Sequence, residues 1–178
     1  MGTIGHTARF TLMIAAVHLG GCATKTASLD LSTSAPAPTT STASVEEQAI
    51  ESYVAMWSDF ADAATTSNWQ SPRLTDHATG NALTVITNSL REDKERGVVT
   101  KGRPTHNPRV SSQEPTGDRD MAWVEDCGDS TNWLKYRADT GALADDRPGG
   151  RRAITAELVR TEGAWKVRAF AVREVGTC

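Results

Sequence analysis

The sequence predicts an α+β domain in which N-terminal helices pack on one face of an antiparallel sheet. Apolar residues recur at helical spacing between Ser44 and Gly97, and short alternating segments bounded by turn residues follow from Val98 onward. Helices that precede a run of antiparallel strands are typical of the α+β class. Residues 44–178 of the 178-residue chain suit one domain, and they contain no internal repeat.

The first predicted helix has the clearest signals. Ser44-Val45-Glu46-Glu47 matches a capping box, in which the Ser44 hydroxyl and the Glu47 carboxylate satisfy backbone N–H groups of the first turn. Asp59 and the other acidic residues lie mostly off its apolar face. The residues of that face are Ile50, Tyr53, Val54, Trp57, Phe60, Ala61 and Ala64. A face this wide needs a broad covering surface, which a sheet provides.

Two further helical segments are predicted before the strands. Ser71-Pro72 favours the start of a short helix that carries Leu74 and Ala78. Gly80 interrupts the pattern, and Gly97 provides the C-terminal stop of the next helix. The apolar residues at helical spacing between these glycines are Leu83, Ile86 and Leu90.

The second half of the chain predicts antiparallel strands. The expected strands are Val98–Thr100, Arg109–Ser112, Met121–Cys127, Asn132–Arg137, Ala153–Arg160 and Trp165–Val175. We expect a turn over 114–118, a tight turn at Gly128-Asp129, a loop over 139–150 and a hairpin turn over 161–164. Trp165 and Val167 alternate with Lys166 and Arg168, as expected of a half-buried strand.

Residues 1–21 have the layout of a secretory signal. Arg9 precedes the apolar segment Phe10–Val17, which is too short to span a bilayer as a helix. Leu19-Gly20-Gly21-Cys22 resembles the bacterial lipobox, and that resemblance implies cleavage before Cys22 and a diacylglyceryl group on its sulfur. The alternative is an ordinary cleaved signal followed by a chance cysteine.

Residues 22–43 comprise the cysteine of the predicted lipid anchor and a stretch rich in Ser, Thr, Ala and Pro. The stretch has almost no large apolar side chain, so it cannot bury enough surface to fold. We expect a tether with a reach on the order of 25 Å. The predicted location is the outer face of the bacterial cell membrane, with the membrane as a partner through the lipid.

The cysteine count predicts a disulfide. The chain has three cysteines, and lipidation of Cys22 would leave Cys127 and Cys178. In an oxidising compartment this pair is expected to form a bridge. Closing a loop of about fifty residues would stabilise the domain by roughly 4 kcal/mol. The alternative is two free buried thiols.

The charge of the chain excludes one class of partner. Its formal net charge is −3, and it contains no run of basic residues. A mildly acidic chain of this kind is not expected to bind nucleic acid or an anionic membrane surface.

From these elements the chain resembles the nuclear-transport-factor-2-like (SnoaL-like) superfamily. The similarity lies in a long helix carrying Tyr53 and Trp57, a short second helix, and strands ending in Glu162-Gly163-Ala164-Trp165-Lys166-Val167. It covers about residues 44–178 and implies a cone-shaped domain with a curved, cystatin-like antiparallel sheet. Together with the lipobox, the Cys127 and Cys178 pair resembles that of small exported actinobacterial lipoproteins. Dimerisation through the open sheet face, common in this superfamily, gives a homodimer as a further expectation.

No catalytic constellation and no cofactor motif emerges from the residues. Enzymes of this superfamily use Asp, His or Tyr inside the cone, but no position here matches their motifs. The ligand-binding candidates are Tyr53, Trp57, Asp126 and Tyr136. The competing interpretations are core tyrosines and tryptophans, and a turn or sheet-end carboxylate at position 126.

His77 and His106 are expected at the surface or at an interface, because two histidines without spaced partners do not indicate a metal site. Asp126, Asp129 and Asn132 provide oxygen ligands but do not follow the calcium-loop pattern, so an Asx-type turn is favoured there. No metal ligand is therefore predicted.

The favoured function is a non-enzymatic, membrane-anchored extracytoplasmic domain that binds a protein partner or a small apolar ligand. Two alternatives remain. One is a cone-pocket enzyme of isomerase, dehydratase or hydrolase type, which requires titratable groups that converge in a cavity. The other is an accessory subunit of an envelope transport complex.

Overall fold

A computed structural model describes residues 43–116, 119–144 and 149–178. Three helices come first: α1 (Val45–Ala64), α2 (Leu74–His77) and α3 (Gly80–Glu95). Six strands follow: β1 (Val98–Lys101), β2 (Arg109–Thr116), β3 (Arg119–Asp129), β4 (Leu134–Arg137), β5 (Arg151–Thr161) and β6 (Ala164–Val172). The helices pack on a curved antiparallel sheet, so the predicted α+β class is confirmed.

Helix α1 begins at the predicted capping box. The Ser44 hydroxyl accepts from the Glu47 N–H at 3.1 Å, and the Glu47 carboxylate accepts from the Ser44 N–H at 2.6 Å. The predicted apolar face is wrong at two positions. Val54 is 40% exposed, whereas Asp59 is only 2% exposed because its carboxylate binds Arg73 and His77.

The segment between α1 and α3 differs from the prediction in its boundaries. Helix α2 begins at Leu74, because residues 68–73 form consecutive turns, and Ala78 is already extended. Gly80 starts α3 instead of interrupting a helix. The preceding Thr79 N–H donates to the Val167 carbonyl at 2.9 Å and ties this corner to β6.

The main sheet has the strand order β2-β3-β5-β6, and β1 pairs with β4 in a separate two-stranded sheet. The tight turn predicted at Gly128-Asp129 is wrong, because β3 continues through both residues. Asp129 also exchanges two backbone hydrogen bonds with Thr105, at 2.9 and 3.0 Å. The chain turns at 130–133 instead, so β4 leaves β3 and pairs with β1.

The two predicted turns that flank the main strands have different outcomes. Strand β2 extends to Thr116, so most of the turn expected over 114–118 is strand, and Gly117-Asp118 lies outside the described residues. The β5–β6 hairpin is confirmed. Glu162 and Gly163 have φ values of 54° and 83°, the signs that a two-residue hairpin turn requires. Strand β6 ends at Val172, three residues before the predicted end.

The hydrophobic core lies between the helices and the inner face of the main sheet. Alternate β3 residues from Ala122 to Gly128 are buried, as the two-residue period of a strand requires. Ala122 and Val124 pack with Leu158 of β5 and with Tyr53 and Ile86 from the helices. The last two inward positions, Asp126 and Gly128, are not apolar side chains, and the interior is open there.

In the part of the chain that the structure describes, no helix is long and apolar enough to cross a membrane. Residues 1–42, with the predicted signal, the lipobox Cys22 and nearly all of the tether, lie outside the described residues, as do residues 145–148 of the predicted loop.

Candidate functional site

A cavity of about 380 Å³ lies between the helices and the two sheets. Aromatic side chains form much of its wall: Trp57 and Phe60 from α1, Trp133 from the turn before β4, and Phe170 from β6. The Trp57 and Phe170 ring centroids are 5.3 Å apart, and those of Phe60 and Trp133 are 5.1 Å apart. The volume falls within the usual range for small-molecule sites, roughly 300–1,000 Å³.

The cavity reaches the protein surface beside α3. Val85 of α3 and Val172 of β6 both line it, and each is 42% exposed. A small molecule therefore has a route to the aromatic wall without unfolding of the domain.

A hydrogen-bonded cluster lies behind one wall of the cavity. The Asp126 carboxylate is 2.6 Å from His106 Nδ1, 2.9 Å from the Tyr53 hydroxyl and 2.7 Å from the Asn107 N–H. Asp126 is 7% exposed and Tyr53 is fully buried. The cluster joins α1, the segment before β2 and the end of β3, so it holds His106 in one orientation.

The ionisation of this cluster follows from its contacts. Burial raises the pKa of Asp126, but hydrogen bonds from His106, the Asn107 N–H and Tyr53 outweigh burial and bring that pKa below its usual value. Burial, with the adjacent Asp126 charge, raises the pKa of Tyr53 far above its usual value. Asp126 is therefore an anion at neutral pH and Tyr53 remains a protonated donor.

His106 is a polar residue in the aromatic wall of the cavity. Its side chain is 6% exposed, lines the cavity, and stacks on Trp57 with ring centroids 5.1 Å apart. Because Nδ1 faces Asp126, the ring nitrogen without this contact is Nε2. That atom is buried and has no hydrogen-bond partner among the described residues. A buried polar atom without a partner costs about 1–3 kcal/mol, and a ligand group could satisfy it.

Gly128 allows close packing beside His106. A Cβ at this position would lie 2.7 Å from Ile154 Cδ1 and 3.4 Å from both His106 Cε1 and Asp126 Oδ2. A larger side chain would therefore displace Ile154 or His106, and both of these residues line the cavity.

Charged groups also line the cavity. Asp93 of α3 is 4% exposed and binds both Lys135 and Arg96, at 2.7 and 2.8 Å. Arg152 of β5 lines the same space. Hydrogen bonds from Thr131 lower the pKa of Asp129, which also lines the cavity.

The four ligand-binding candidates named from the sequence have different positions. Trp57 lines the cavity, whereas Tyr53 and Asp126 are not lining residues and form the hydrogen-bonded cluster next to His106. Tyr136 is not among the lining residues, and Lys101 lies over its ring at 5.0 Å. The interpretation of Asp126 as a turn or sheet-end carboxylate is wrong, because Asp126 lies within β3, is paired with Ile154 of β5 and faces inward.

His106 is the functional candidate that the sequence reasoning missed. It was expected at a surface or interface, but its side chain is almost fully buried. The register of β2 and β3 pairs Arg109 with Glu125, and continuing that register places His106 opposite Gly128, next to Asp126. A correct pairing of these two strands was the signal that could have identified it.

The structure also shows where the other residues singled out from the sequence lie. The Thr131 N–H donates to the Asp129 carboxylate at 2.8 Å, so the predicted Asx-type turn is present, without Asp126 in it. Among the described residues no cluster of His, Cys, Asp or Glu side chains could hold a metal ion. Trp165 is core at 4% exposure, whereas Trp69 is 36% exposed.

Cys127 and Cys178 are joined by a disulfide, with Cα atoms 5.9 Å apart. Because neighbouring strand residues point to opposite faces, Cys127 lies on the outer face of the sheet and Asp126 on the inner face. The Arg151 guanidinium lies 3.2 Å from the Cys127 sulfur on that outer side. The bridge therefore anchors the end of β3 that carries Asp126 and Gly128.

Comparison with known proteins finds similarity of structure only. No protein-family model matches the chain, and no curated protein matches it. The intermembrane space region of the chloroplast protein ARC6 is 16% identical over 70% of this chain and 93% of that chain, with a TM-score of 0.48. The protein Aln2 from a Streptomyces species is 12% identical over 71% of this chain and 88% of that chain, with a TM-score of 0.42.

An NTF-2 like protein of unknown function from Silicibacter pomeroyi is 17% identical over 70% of this chain and 95% of that chain, with a TM-score of 0.36. NTF2-like proteins are thus among the solved structures to which this chain is similar. At these identities and TM-scores no function passes from them to this chain.

Proposed function

We propose that this chain is a membrane-anchored extracytoplasmic domain that binds a small apolar molecule in its cavity, with His106 as the polar anchor. The single observation that carries the proposal is the buried, unpaired Nε2 of His106, a residue that lines the cavity beside the aromatic rings of Trp57, Trp133 and Phe170. A ligand would gain from burial of its apolar surface, and one polar group on it would satisfy Nε2.

Binding is favoured over catalysis because few titratable groups converge in the cavity. Asp126 and Tyr53 contact each other and His106, and neither is a lining residue. Asp93 and Lys135, which do line it, are paired with each other at 2.7 Å. The arrangement therefore suits recognition by hydrogen bonding better than acid–base chemistry.

The direct test is a titration with naphthalene and 2-naphthol, followed by NMR of the Trp57 and Trp133 indole N–H signals. Both probes are expected to shift these signals, and 2-naphthol is expected to bind more tightly because its hydroxyl can donate to His106. Gly128→Val should abolish binding by displacing Ile154 and His106 from the cavity wall. Thr155→Val is the matched control, because Thr155 is exposed on the other face of the same sheet.

Val85→Trp provides a second test in case the valine at position 128 prevents folding. Val85 is 42% exposed at the cavity entrance, so a larger side chain can be accommodated without disturbing the core. Weaker binding in this variant would support the site. Unchanged indole signals in the folded wild-type domain with both probes would overturn the proposal.

A second candidate function, proton-transfer catalysis, is favoured by one specific observation. The Asp126–His106 hydrogen bond orients the imidazole of a residue that lines the cavity and leaves its other nitrogen without a partner, which is the arrangement of a general base. We would measure exchange of the α-hydrogens of 2-tetralone, an apolar enolisable ketone, in deuterated buffer. Exchange above background that disappears in both His106→Gln and Asp126→Asn would replace binding by catalysis as the function.

The membrane anchor is a separate part of the proposal, supported by the sequence of residues 19–22 alone. Full-length protein expressed in a bacterial host should fractionate with membranes and carry lipid on Cys22. Cys22→Ser is expected to be released to the medium or to remain unprocessed. Membrane fractionation that is the same for both proteins would overturn the lipobox assignment.

A further inference from the structure

The inner face of the main sheet carries a cation directly beside the His106 site. Gly128 of β3 pairs with Arg152 of β5, and Asp126 pairs with Ile154, so all four residues face the same interior. Directly opposed residues of an antiparallel pair have Cα atoms about 4.5–5.5 Å apart. Because Gly128 has no side chain, nothing from β3 stands between Arg152 and the cavity.

Arg152 has little to neutralise it. Its guanidinium makes one hydrogen bond, to the Arg173 carbonyl oxygen at 3.4 Å, and no carboxylate pairs with it among the described residues. The two carboxylates of the lining are already engaged: Asp93 with Lys135 and Arg96, and Asp129 with the N–H and hydroxyl of Thr131.

The cavity wall also holds a hydrogen-bond donor without an acceptor. The indole N–H of Trp133 is buried and has no partner within the described residues. Arginine and indole N–H groups can only donate, whereas an ionised carboxylate can only accept. A guanidinium also binds a carboxylate through two parallel hydrogen bonds.

From this juxtaposition we propose that the ligand of the cavity is a small apolar carboxylic acid whose carboxylate binds Arg152. The apolar body lies against the aromatic wall, the acid group lies on the β5 side of Gly128, and a hydroxyl or N–H group on the same ligand donates to His106 Nε2. This inference rests on the proposed function, since it names the chemical class that the same cavity takes.

The experiment compares three probes of one shape: naphthalene, 2-naphthoate and (2-naphthyl)methylammonium. Isothermal titration at neutral pH is expected to give 2-naphthoate an affinity at least about tenfold above that of naphthalene, with the ammonium probe the weakest. The advantage of 2-naphthoate should shrink as salt is added, because part of it is attraction to the guanidinium.

Arg152→Gln should bring the ratio of the naphthoate and naphthalene affinities to about one. Arg151→Gln is the matched control: Arg151 precedes Arg152 in the chain but contacts the Cys127 sulfur on the outer face, so its variant should keep the wild-type ratio.

The outcomes separate the two claims. If naphthalene binds wild-type protein but 2-naphthoate binds no more tightly, or if its advantage survives Arg152→Gln, the carboxylic acid assignment is wrong and small-molecule binding stands. If none of the three probes binds, the proposed function fails and the acid assignment fails with it.

Discussion

The domain contains two buried aspartates that each bind a histidine, and only one of these pairs forms part of a candidate site. Asp59 is 2% exposed and lies 2.7 Å from His77 Nδ1, whereas Asp126 is 7% exposed and lies 2.6 Å from His106 Nδ1. By distance and carboxylate burial the pairs are nearly the same. Their surroundings make the difference.

In the Asp59–His77 pair, a guanidinium neutralises the carboxylate and water can reach the histidine ring. Asp59 also binds the Arg73 guanidinium at 2.8 Å, and the His77 side chain is 35% exposed. Asp126 instead receives hydrogen bonds from a tyrosine hydroxyl and a backbone N–H, and the His106 side chain is 6% exposed. An Asp–His pair therefore indicates a site only when the free ring nitrogen is withheld from water.

The largest predicted effect comes from removal of the Cys127–Cys178 disulfide, which anchors the end of β3 that carries Asp126. The Asp59–His77 pair has no such support from the disulfide. Replacing both Cys127 and Cys178 by serine should lower the free energy of unfolding by roughly 4 kcal/mol, because the closed loop of 51 residues no longer restricts the unfolded chain. Urea denaturation measures this loss.

The same variant sharpens the comparison between the pairs. The Nδ1 proton of His106 should exchange faster with solvent, because the end of β3 loses its anchor, whereas that of His77 should not change. Equal acceleration at both histidines, or a stability loss below about 1 kcal/mol, would contradict this account.

Replacing Asp126 and Asp59 by alanine should lower the free energy of unfolding by different amounts. Asp126→Ala removes the acceptor of three donors, of which the Tyr53 hydroxyl is buried and those of His106 and Asn107 are partly buried, and should cost about 3 kcal/mol or more. Asp59→Ala should cost about 1–2 kcal/mol, because water can reach His77 and the 63% exposed Arg73 side chain. Chemical denaturation of both variants gives the comparison, and an equal or reversed order would refute it.

The contrast also shows what could be predicted from the sequence. The capping box, the long first helix and the β5–β6 hairpin follow from local signals, and all are present in the structure. Asp126 and Trp57 were named as ligand-binding candidates because of their chemistry. Their environment depends on pairing between distant strands, which no local pattern determines.

The errors arose where tertiary contacts override local propensity. Gly128-Asp129 has the composition of a turn, but the β5 ladder and the Thr105 hydrogen bonds keep both residues in β3. Asp59 has the polarity of a surface residue but is buried because Arg73 and His77 close over it. His106 was assigned to the surface because its partner lies twenty residues away across a strand pair.

The ionisation of Tyr53 provides a test of the electrostatics of the buried Asp126–His106 pair. Burial beside Asp126 raises its pKa in the folded state above the unfolded value of about 10, so the full stabilisation is present below that pH. As pH rises past about 10 the unfolded chain loses the tyrosine proton first, and stability falls.

The chain has two tyrosines, so Tyr136→Phe leaves Tyr53 as the one tyrosine that can form tyrosinate. Its tyrosinate absorbance should appear only as the domain unfolds. Tyr53→Phe should cost roughly 1.5–2 kcal/mol at neutral pH and flatten the alkaline loss of stability. Tyrosinate formation in folded Tyr136→Phe protein near pH 10 would show that Tyr53 is not held by Asp126.

The smallest predicted effect completes the comparison of the two histidines. His77→Gln should cost only about 0.5–1 kcal/mol, because the amide can still reach Asp59 and water replaces the rest of the ring. Its affinity for 2-naphthol should equal that of the wild type. His106→Gln should lose most of that affinity, since the amide cannot stack on Trp57 or present the same nitrogen to the cavity. Equal 2-naphthol affinities in the two variants would mean that burial of the His106 ring nitrogen does not contribute to binding. The aromatic wall of the cavity alone would then account for recognition.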